Sequence, residues 1–344
     1  MLFRSHFFWP FLRSHLQVLN FKMTISAFME KNFRHFNARE TLAAAMAYKK
    51  FVDQEHGAML VSLAGAMSTA ELGVSLAEMI RCGKVHAISC TAANLEEDLF
   101  NLFANDEYKV IENWRALSVD DEVGLRDTGF NRVTDTCIPE TVMKHMQSRL
   151  VKYWAKAAAE DKSYFPYEYM FMLLDEPELK PLYKIPAEHS WMIAAKEAGI
   201  PVFSPGIEDS TLGNMFAARV MDGTVSTHHA LKSGTQQLER LAQWYRAFSK
   251  DRGVGFFQIG GGIAGDFAIC VVPMLIQDLD ELDTRRWAYY AQISDSETSY
   301  GGYSGAVPNE KITWNKLTAD TPKFMIHSDA TIVAPLIFAY VLGQ

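Results

Sequence analysis

A polar segment near the end of the chain combines the residue types that an amine nucleophile needs. Residues 304–317 read SGAVPNEKITWNKL, so Lys316 follows Trp314 by two positions and Glu310 by six. A lysine attacks a substrate only when its amine is neutral, and apolar or aromatic walls favour the neutral form. The tryptophan in this Gly- and Pro-broken segment therefore suggests a wall beside a reactive lysine. On residue types alone, a lysine whose stem packs along the tryptophan is the more ordinary interpretation.

Two further segments have the composition of nucleotide-binding turns. Residues 260–265 read GGGIAG, which satisfies the spacing G-x-G-x-x-G and follows a predicted strand. Such a turn lets the backbone approach a pyrophosphate. A tight strand-to-helix turn without a ligand needs the same glycines, however. The acidic residue that would confirm nucleotide binding is not clear at the end of the next strand. Residues 203–216 place Asp209 after another strand end. A carboxylate there either holds a ribose hydroxyl or, with Ser210, caps a helix.

The elements that would position these residues alternate between short apolar runs and helical patterns. The apolar runs predict six buried strands, at 58–63, 85–90, 201–204, 254–259, 288–293 and 324–327. Helical periodicity separates them, over 40–54, 70–81, 95–104, 141–160, 165–174, 189–198, 232–248 and 331–342. Strand, small-residue turn and helix in repetition form the βαβ signature. We therefore predict an α/β fold with a single doubly wound, mostly parallel sheet, helices on both faces, and ligands at the carboxyl ends of the strands.

Composition and charge narrow the function classes. The chain has 344 residues, of which 49% are hydrophobic, and this apolar fraction excludes general disorder. With 33 basic and 41 acidic residues, the net charge of −8 disfavours a nucleic-acid partner and suits a cationic small substrate. The four cysteines form no CxxC pair, which indicates a reducing, cytoplasmic compartment. The ten histidines form no HExxH motif, so we expect no metal.

The first 22 residues differ from the rest of the chain. They are rich in apolar and aromatic residues, but Arg4, Pro10 and Arg13 interrupt the run, so we expect neither a membrane span nor a signal peptide. We interpret residues 1–22 as an extension outside the fold and residues 23–344 as one domain. An amphipathic arm docked on that domain is the alternative, in which case a chain beginning at Met23 would lose stability.

Six segments, taken in order, carry a resemblance to a known family. The most specific is Thr313-Trp314-Asn315-Lys316. The others are LAGAMST with Ser68 and Thr69, CTAANLEED, SPGIEDSTLGN, the turn Gly260–Gly262, and HSDAT with Asp329 and Ala330. Over roughly residues 30–344 the chain resembles the deoxyhypusine synthase family, and within it the bacterial deoxyhypusine synthase-like subgroup.

The resemblance implies an NAD-dependent transfer of a 4-aminobutyl group. In the family, a secondary amine of spermidine is oxidised, a lysine displaces diaminopropane and holds the fragment as an imine, and an acceptor amine then takes it. The implied nucleophile is Lys316, and the implied substrate-binding residues are Glu310, Trp314, Asn214, Tyr303 and Asp266. The implied NAD contacts are Ser68, Thr69, Thr91, Ala92, Glu97, Asp209, Gly260, Gly261, Gly262, Asp329 and Ala330. A homotetramer with sites across a tight dimer interface is expected as well.

Three departures from the family pattern bear on the substrate. Where the eukaryotic enzymes carry a His-His pair after the glycine turn, residues 264–267 read AGDF. Asn214 stands in place of an aspartate that grips a substrate amine, and Tyr303 in place of the aspartate before SGA. The candidates for substitute contacts are Asp266, Asp295 and Glu297.

These departures favour transfer to a small polyamine, for example from spermidine to putrescine, as in a homospermidine synthase. Two alternatives stay open. One is deoxyhypusine synthesis proper, with a translation-factor lysine as the acceptor. The other is an NAD-binding protein that no longer transfers anything, and the retention of Lys316 counts against it.

Overall fold

A computed structural model describes residues 23–298 and 301–344. The predicted extension, residues 1–22, lies outside the described residues, so its role stays a prediction. Within the described part of the chain, no helix is both long and apolar enough to cross a membrane.

The strands confirm the predicted sheet. Those within the described residues are β1 (Ala58–Leu63), β2 (Ala87–Cys90), β3 (Lys109–Val110), β4 (Phe130–Val133), β5 (Thr136–Pro139), β6 (Val202–Phe203), β7 (Val254–Ile259), β8 (Tyr289–Ile293) and β9 (Lys323–Ile326). Six of them, each at a predicted apolar run, form one parallel sheet in the order β6-β2-β1-β7-β8-β9. The chain winds outward from β1 in one direction and from β7 in the other, which is a doubly wound topology.

The helices predicted from periodicity are all present, with ends displaced by a few residues. The α-helices in the described ranges are α1 (Ile25–Asn32), α2 (Phe36–Asp53), α3 (Gly73–Arg81), α4 (Ala92–Ala104), α5 (Val119–Asp127), α6 (Glu140–Ala159), α7 (Pro166–Leu174), α8 (Trp191–Ala198), α9 (Thr211–Met221), α10 (Gly234–Ser249), α11 (Gly262–Ile269), α12 (Val271–Pro273), α13 (Glu310–Thr313) and α14 (Ala330–Leu342).

Side chains of β1 point alternately into two hydrophobic cores, one on each face of the sheet. Met59, Val61 and Leu63 belong to the larger core, to which α2, α3 and α14 contribute. Leu60 belongs to the smaller core, which α10, α11 and α12 help to form. Because side chains alternate along a strand, a strand covered on both faces is apolar at nearly every position. This is why β1 reads as the continuous run AMLVSL.

A small antiparallel sheet in the order β3-β5-β4 is an addition to the predicted fold. The strands β3 and β4 are exposed or half-exposed, so they lack the apolar run that marks a buried strand. The hairpin between β4 and β5 turns at Thr134, whose φ is +52°. The position of this small sheet in the molecule depends on packing, and no pattern in the local sequence predicts it.

Helix α4 is buried along almost its whole length although many of its residues are polar. Of its 13 residues, only Ala93 is not buried. Two asparagines of α4 hold the turn that follows β1: the Ser68 N–H donates to Asn94 at 2.8 Å, and Asn101 donates to the Ser68 carbonyl at 2.7 Å. Buried polar groups need such partners.

Three consecutive carboxylates of α4 bind backbone N–H groups of three other segments. Glu96 accepts from the first turn of α9 at 2.7 and 3.2 Å. Glu97 accepts the Thr69 N–H at 3.2 Å. Asp98 accepts from the start of α8 at 3.2 and 3.4 Å. The helix thus connects the end of β1 with the beginnings of α8 and α9, and negative charge at a helix start is favourable.

Burial makes these carboxylates sensitive to pH. It raises the pKa of Glu96 and Asp98 to about 7 and that of Glu97 to about 8, against the opposing N–H donors. In the unfolded chain such groups lose their protons near pH 4. Between about pH 4 and pH 8 the folded protein therefore holds more protons than the unfolded chain, so the free energy of unfolding falls as the pH rises through this window.

We predict that Glu97→Gln flattens this pH dependence. The amide keeps an oxygen for the Thr69 N–H but cannot ionise, so the variant should unfold at a higher temperature than the wild type at pH 8 and at nearly the same temperature at pH 5. The gain at pH 8 should be about 1–3 kcal/mol. Thermal unfolding followed by circular dichroism from pH 5 to pH 8 measures it. Glu107→Gln, at an exposed carboxyl, is the control, and an equal effect of both changes would contradict the prediction.

Candidate active site

The carboxyl ends of four sheet strands open into a cleft of about 1000 Å³. Its lining comes from the segments that follow β1, β7, β8 and β9 and from part of the small sheet, namely residues 64–67, 69–71, 114–115, 133–136, 259–260, 293–295 and 328–331. Since β1 and β7 are neighbours and the chain winds outward from them in both directions, the cleft lies at the switch point of the sheet. Open α/β sheets bind nucleotides at this place.

The turn after β7 needs its glycines for two different reasons. Gly260 and Gly262 have φ angles of +74° and +57°, in the left-handed region that other residues rarely adopt. Gly261 lies against Ser304, and a Cβ atom on it would come within 2.5 Å of the Ser304 Cα. The Gly262 N–H donates to Ser304 Oγ at 3.1 Å. The strand-to-helix turn is as predicted, and its contact with a pyrophosphate stays a prediction.

The two polar residues after β1 have different environments. Ser68 is buried, and its hydroxyl donates to Asn94 and accepts the indole N–H of Trp191, both at 3.0 Å. Thr69 lines the cleft, and its buried Oγ1 has no hydrogen-bond partner among the residues described. A buried hydroxyl without a partner is uncommon in folded proteins. Of this pair, Thr69 is the residue that lines the cleft.

The other residues implied as NAD contacts are divided between the cleft and its surroundings. Asp329 and Ala330 line the cleft, and Asp329 caps α14 by accepting the Thr331 N–H at 2.7 Å. Asp209 is exposed beyond β6, which is an edge strand. Three more do not line the cleft, and they are Thr91, Ala92 and Glu97.

A second pocket, of about 490 Å³, surrounds the predicted nucleophile. Lys316 is 6% exposed, and its Nζ lies 2.9 Å from Oδ1 of Asp266 in α11. Glu310, Trp314 and Tyr303 line the same pocket. One chain thus brings together five of the six residues predicted to bind the substrate or to react.

Asn214 is the sixth, and it lies elsewhere. It is an exposed residue of α9 and does not line the pocket of Lys316. Like Asp209, it follows the edge strand β6. Within one chain Asn214 and Lys316 therefore belong to different sites.

Tyr303, which is partly buried, supplies a closer aromatic wall to the Lys316 amine than Trp314 does. The Lys316 Nζ lies 5.4 Å from the centre of the Tyr303 ring and 5.9 Å from that of Trp314. Trp314 is 59% exposed. The expectation that Trp314 excludes water from Lys316 is therefore not met within one chain, where Tyr303 takes that position.

Buried polar groups hold the Tyr303 ring in place. Its hydroxyl donates to Gln258 Oε1 at 2.8 Å, and the same oxygen accepts from Tyr290 at 3.3 Å. Gln292 donates to the Ser304 carbonyl at 2.6 Å. Burial keeps the pKa of Tyr303 well above its usual value, so its hydroxyl stays a donor at neutral pH. The pocket therefore contains a fixed, uncharged ring face, which attracts cations.

Sequence patterns did not single out two cations at these sites. Lys311 is 2% exposed and lies in the same segment as Lys316, whereas Arg115 lines the large cleft beside Trp114. Lysine is rarely buried, so its residue type does not predict the buried position of Lys311. Arg115 is exposed, and the local sequence gives no sign that its segment reaches the cleft. Both positions depend on how distant segments pack.

Comparison with known proteins identifies the family. The sequence model described as deoxyhypusine synthase matches residues 27–341. The chain belongs to the deoxyhypusine synthase family. Members of this family are enzymes that transfer an aminobutyl group, and the resemblance inferred from six short segments is confirmed across the chain.

Individual deoxyhypusine synthase relatives agree with this result. A deoxyhypusine synthase-like protein of Nostoc punctiforme is 28% identical over 328 residues, which cover 92% of this chain and 79% of the relative. The protein named "Probable deoxyhypusine synthase 1" in Archaeoglobus fulgidus is 26% identical, and the match covers 90% of this chain and 90% of that relative. A crystal structure from Entamoeba histolytica, assigned as a deoxyhypusine synthase, superposes with a TM-score of 0.55 at 12% identity, covering 89% of this chain and 88% of that one. It supports the fold.

We predict that Gly261→Ala damages the large cleft. The new Cβ would clash with the Ser304 backbone, so the glycine turn and the segment around Ser304 must separate. The expected results are a melting temperature lower by several degrees and NAD binding weaker by about tenfold or more. Thermal unfolding with and without NAD measures both. Gly124→Ala is the matched control, because a Cβ there meets nothing within 4 Å; the prediction fails if the two variants behave alike.

Proposed function

We propose that this protein is an NAD-dependent aminobutyl transferase that takes a 4-aminobutyl group from spermidine, holds it on Lys316 as an imine and passes it to a small polyamine such as putrescine. The observation that carries the proposal is Lys316 itself, a buried lysine beside Asp266 at the position of the family's nucleophile. We expect a cytoplasmic homotetramer with its sites at a dimer interface.

The residues of the large cleft fit a dinucleotide. Gly260, at the end of β7, lines the cleft together with Thr69, and Asp329 supplies a carboxylate there. These residues would hold NAD. When bound, NAD supplies hydride chemistry, accepting a hydride from the donor amine and returning it to the product.

Lys316 must lose a proton before it acts as a nucleophile. In the resting structure Asp266 stabilises the ammonium form, because its Oδ1 lies 2.9 Å from Nζ. The Asp266 side chain is 49% exposed, so a cationic substrate can reach the same carboxylate. A substrate ammonium that pairs with Asp266 removes this stabilisation and favours the neutral amine of Lys316.

The transfer steps at Lys316 balance in atoms and charge. The Lys316 nitrogen forms a bond to the imine carbon of the oxidised donor, and the bond from this carbon to the departing nitrogen breaks. 1,3-Diaminopropane leaves with the proton that Lys316 gives up. The fragment remains as an imine on Lys316, where Glu310 and the Tyr303 ring can hold its terminal ammonium. The acceptor amine then attacks the same carbon, and Lys316 leaves as the free amine.

Two neutral side chains support a small amine as the acceptor. Asn214 and Tyr303 stand where, by resemblance, true deoxyhypusine synthases have aspartates. A hydrogen bond between a carboxylate and an ammonium contributes roughly 1.5–3 kcal/mol. The contacts for amines in this protein therefore differ from those suited to a protein lysine, and Asp266 places its carboxylate next to Lys316 instead.

Product analysis tests the acceptor. With spermidine and NAD, we expect homospermidine and 1,3-diaminopropane when putrescine is present, and no homospermidine when it is absent. Isotopically labelled putrescine, followed by mass spectrometry, identifies the acceptor carbons. Equally fast modification of a translation-factor precursor would contradict the choice of acceptor, and the absence of any transfer despite NAD binding would contradict the transferase.

The chemistry predicts the behaviour of Lys316 variants. Borohydride added during turnover should trap a butylamine adduct on Lys316, detectable by peptide mass analysis. Lys316→Ala should abolish transfer and leave NAD binding nearly unchanged, because the cleft is lined by other residues. Lys316→Arg should be equally inactive, since a guanidinium stays protonated. Transfer that persists in Lys316→Ala, or an adduct on Lys311, would overturn the mechanism.

A further inference from the structure

Among the described residues that line the large cleft, one is basic, and it belongs to the wall beside the small sheet. The charged residues of this lining are the acidic Glu71, Asp135, Asp295 and Asp329 and the basic Arg115. A dinucleotide presents two kinds of polar group to such a cleft. Its ribose hydroxyls can donate to carboxylates, whereas its two phosphates are anions that carboxylates repel. The position of Arg115 therefore bears on where the phosphates can lie.

The guanidinium of Arg115 has no carboxylate within 4 Å in the described part of the chain. Two of the carboxylates in the cleft have other donors. Asp329 accepts both the N–H and the hydroxyl of Thr331 at 2.7 Å, and Glu71 accepts from Asn105 at 2.8 Å. The positive charge of Arg115 is therefore not used in an internal ion pair, and it can pair with an anion that enters the cleft.

The ring of Trp114 supports this guanidinium. Trp114 also lines the cleft, and the Arg115 Cζ lies over its ring, 4.2 Å from the ring centre. A guanidinium held on an aromatic face is attracted by the ring and keeps N–H donors at its edge. A phosphate can accept two such N–H groups at once, which makes arginine the side chain best suited to bind it.

A second arginine beside Trp114 is already paired and serves as an internal comparison. The Arg132 Cζ lies 5.9 Å from the Trp114 ring centre, but its guanidinium donates to Glu122 and to the Thr134 carbonyl. Arg132 does not line the cleft, whereas Arg115 does. The neighbouring strand β5 is buried at three of its four positions, so this wall is anchored in the fold.

We propose that Arg115 binds the pyrophosphate of NAD and so fixes the position of the cofactor in the large cleft. This inference rests on the proposed function, from which the identity of the cofactor comes. Gly260 and Arg115 line the same cleft, and its carboxylates remain for the ribose hydroxyls. Arg115 takes no part in hydride or proton transfer. The small sheet, an addition to the predicted fold, thereby gains a role in cofactor binding.

Binding of dinucleotide fragments to the intact protein tests this contact. Dissociation constants are measured for the wild type, Arg115→Met and Arg115→Lys, by calorimetry for NAD and ADP-ribose and by ligand-observed NMR for adenosine. ADP-ribose keeps the pyrophosphate, whereas adenosine has no phosphate. Arg115→Met should bind NAD and ADP-ribose about tenfold or more weakly and should bind adenosine as the wild type does. Arg115→Lys should be intermediate, because it keeps the charge but loses the paired donors.

Arg126→Met is the matched control. Arg126 is an exposed arginine of α5 that pairs with Asp127 and does not line the cleft, so this change alters the net charge equally. Added salt should weaken NAD binding to the wild type more than to Arg115→Met. If Arg115→Met melts below the assay temperature, Arg115→Gln replaces it.

Three results would overturn the role of Arg115. These are unchanged NAD binding in Arg115→Met, equal weakening in Arg126→Met, and equal weakening of adenosine and ADP-ribose, since a phosphate contact cannot affect a ligand without phosphate. None of these results touches transfer at Lys316. NAD binding that depends on Arg115 without any aminobutyl transfer would instead remove the proposed function and leave the contact standing. A wild type that binds neither NAD nor ADP-ribose would overturn both.

Discussion

The buried polar face of α4 is the constraint on which the cleft depends. A helix buried on nearly all sides cannot leave asparagine and carboxylate side chains unpaired, because each unpaired group costs free energy. The partners of these side chains are backbone groups of the turn after β1 and of the starts of α8 and α9. Three segments far apart in the chain are thereby fixed relative to β1, and one of them carries Thr69 into the cleft.

Ser304 plays a comparable part between the two pockets. Its hydroxyl accepts the Gly262 N–H, its carbonyl accepts from Gln292, and its backbone lies where a side chain on Gly261 would be. The glycine turn of the large cleft and the segment that carries Tyr303 are thus held in contact. A cofactor in the cleft and an amine beside Lys316 would therefore be positioned by the same short stretch of backbone.

The pocket of Lys316 combines one buried amine with two solvent-accessible carboxylates, those of Asp266 and Glu310. The ion pair between Lys316 and Asp266 is open to solvent on the side of the carboxylate, so a substrate ammonium can compete for that carboxylate. A polycationic substrate changes these contacts simply by binding. Under the proposed function, substrate entry and activation of the nucleophile would therefore be coupled electrostatically.

The amino-acid sequence by itself determined the sheet and singled out Lys316 as the candidate nucleophile. The strands β1 and β7 fall on the predicted runs 58–63 and 254–259 because burial on both faces leaves an unbroken apolar pattern. The segment around Lys316 brought Glu310 and Tyr303 into consideration, and the segment after the glycine turn brought Asp266; all three line the pocket of Lys316.

Only the tertiary structure decided which polar groups are paired. The Ser68 hydroxyl pairs with Asn94 and with Trp191, 123 residues later in the chain, whereas Thr69 is the residue of this pair that lines the cleft. Tyr303 rather than Trp314 covers Lys316, and Lys311 is buried although its type indicates surface. Hydrophobic periodicity predicts which face of a helix or strand is buried. It does not predict the hydrogen-bond partners, the burial or the charge environment of a single polar side chain, because these depend on neighbours from distant segments.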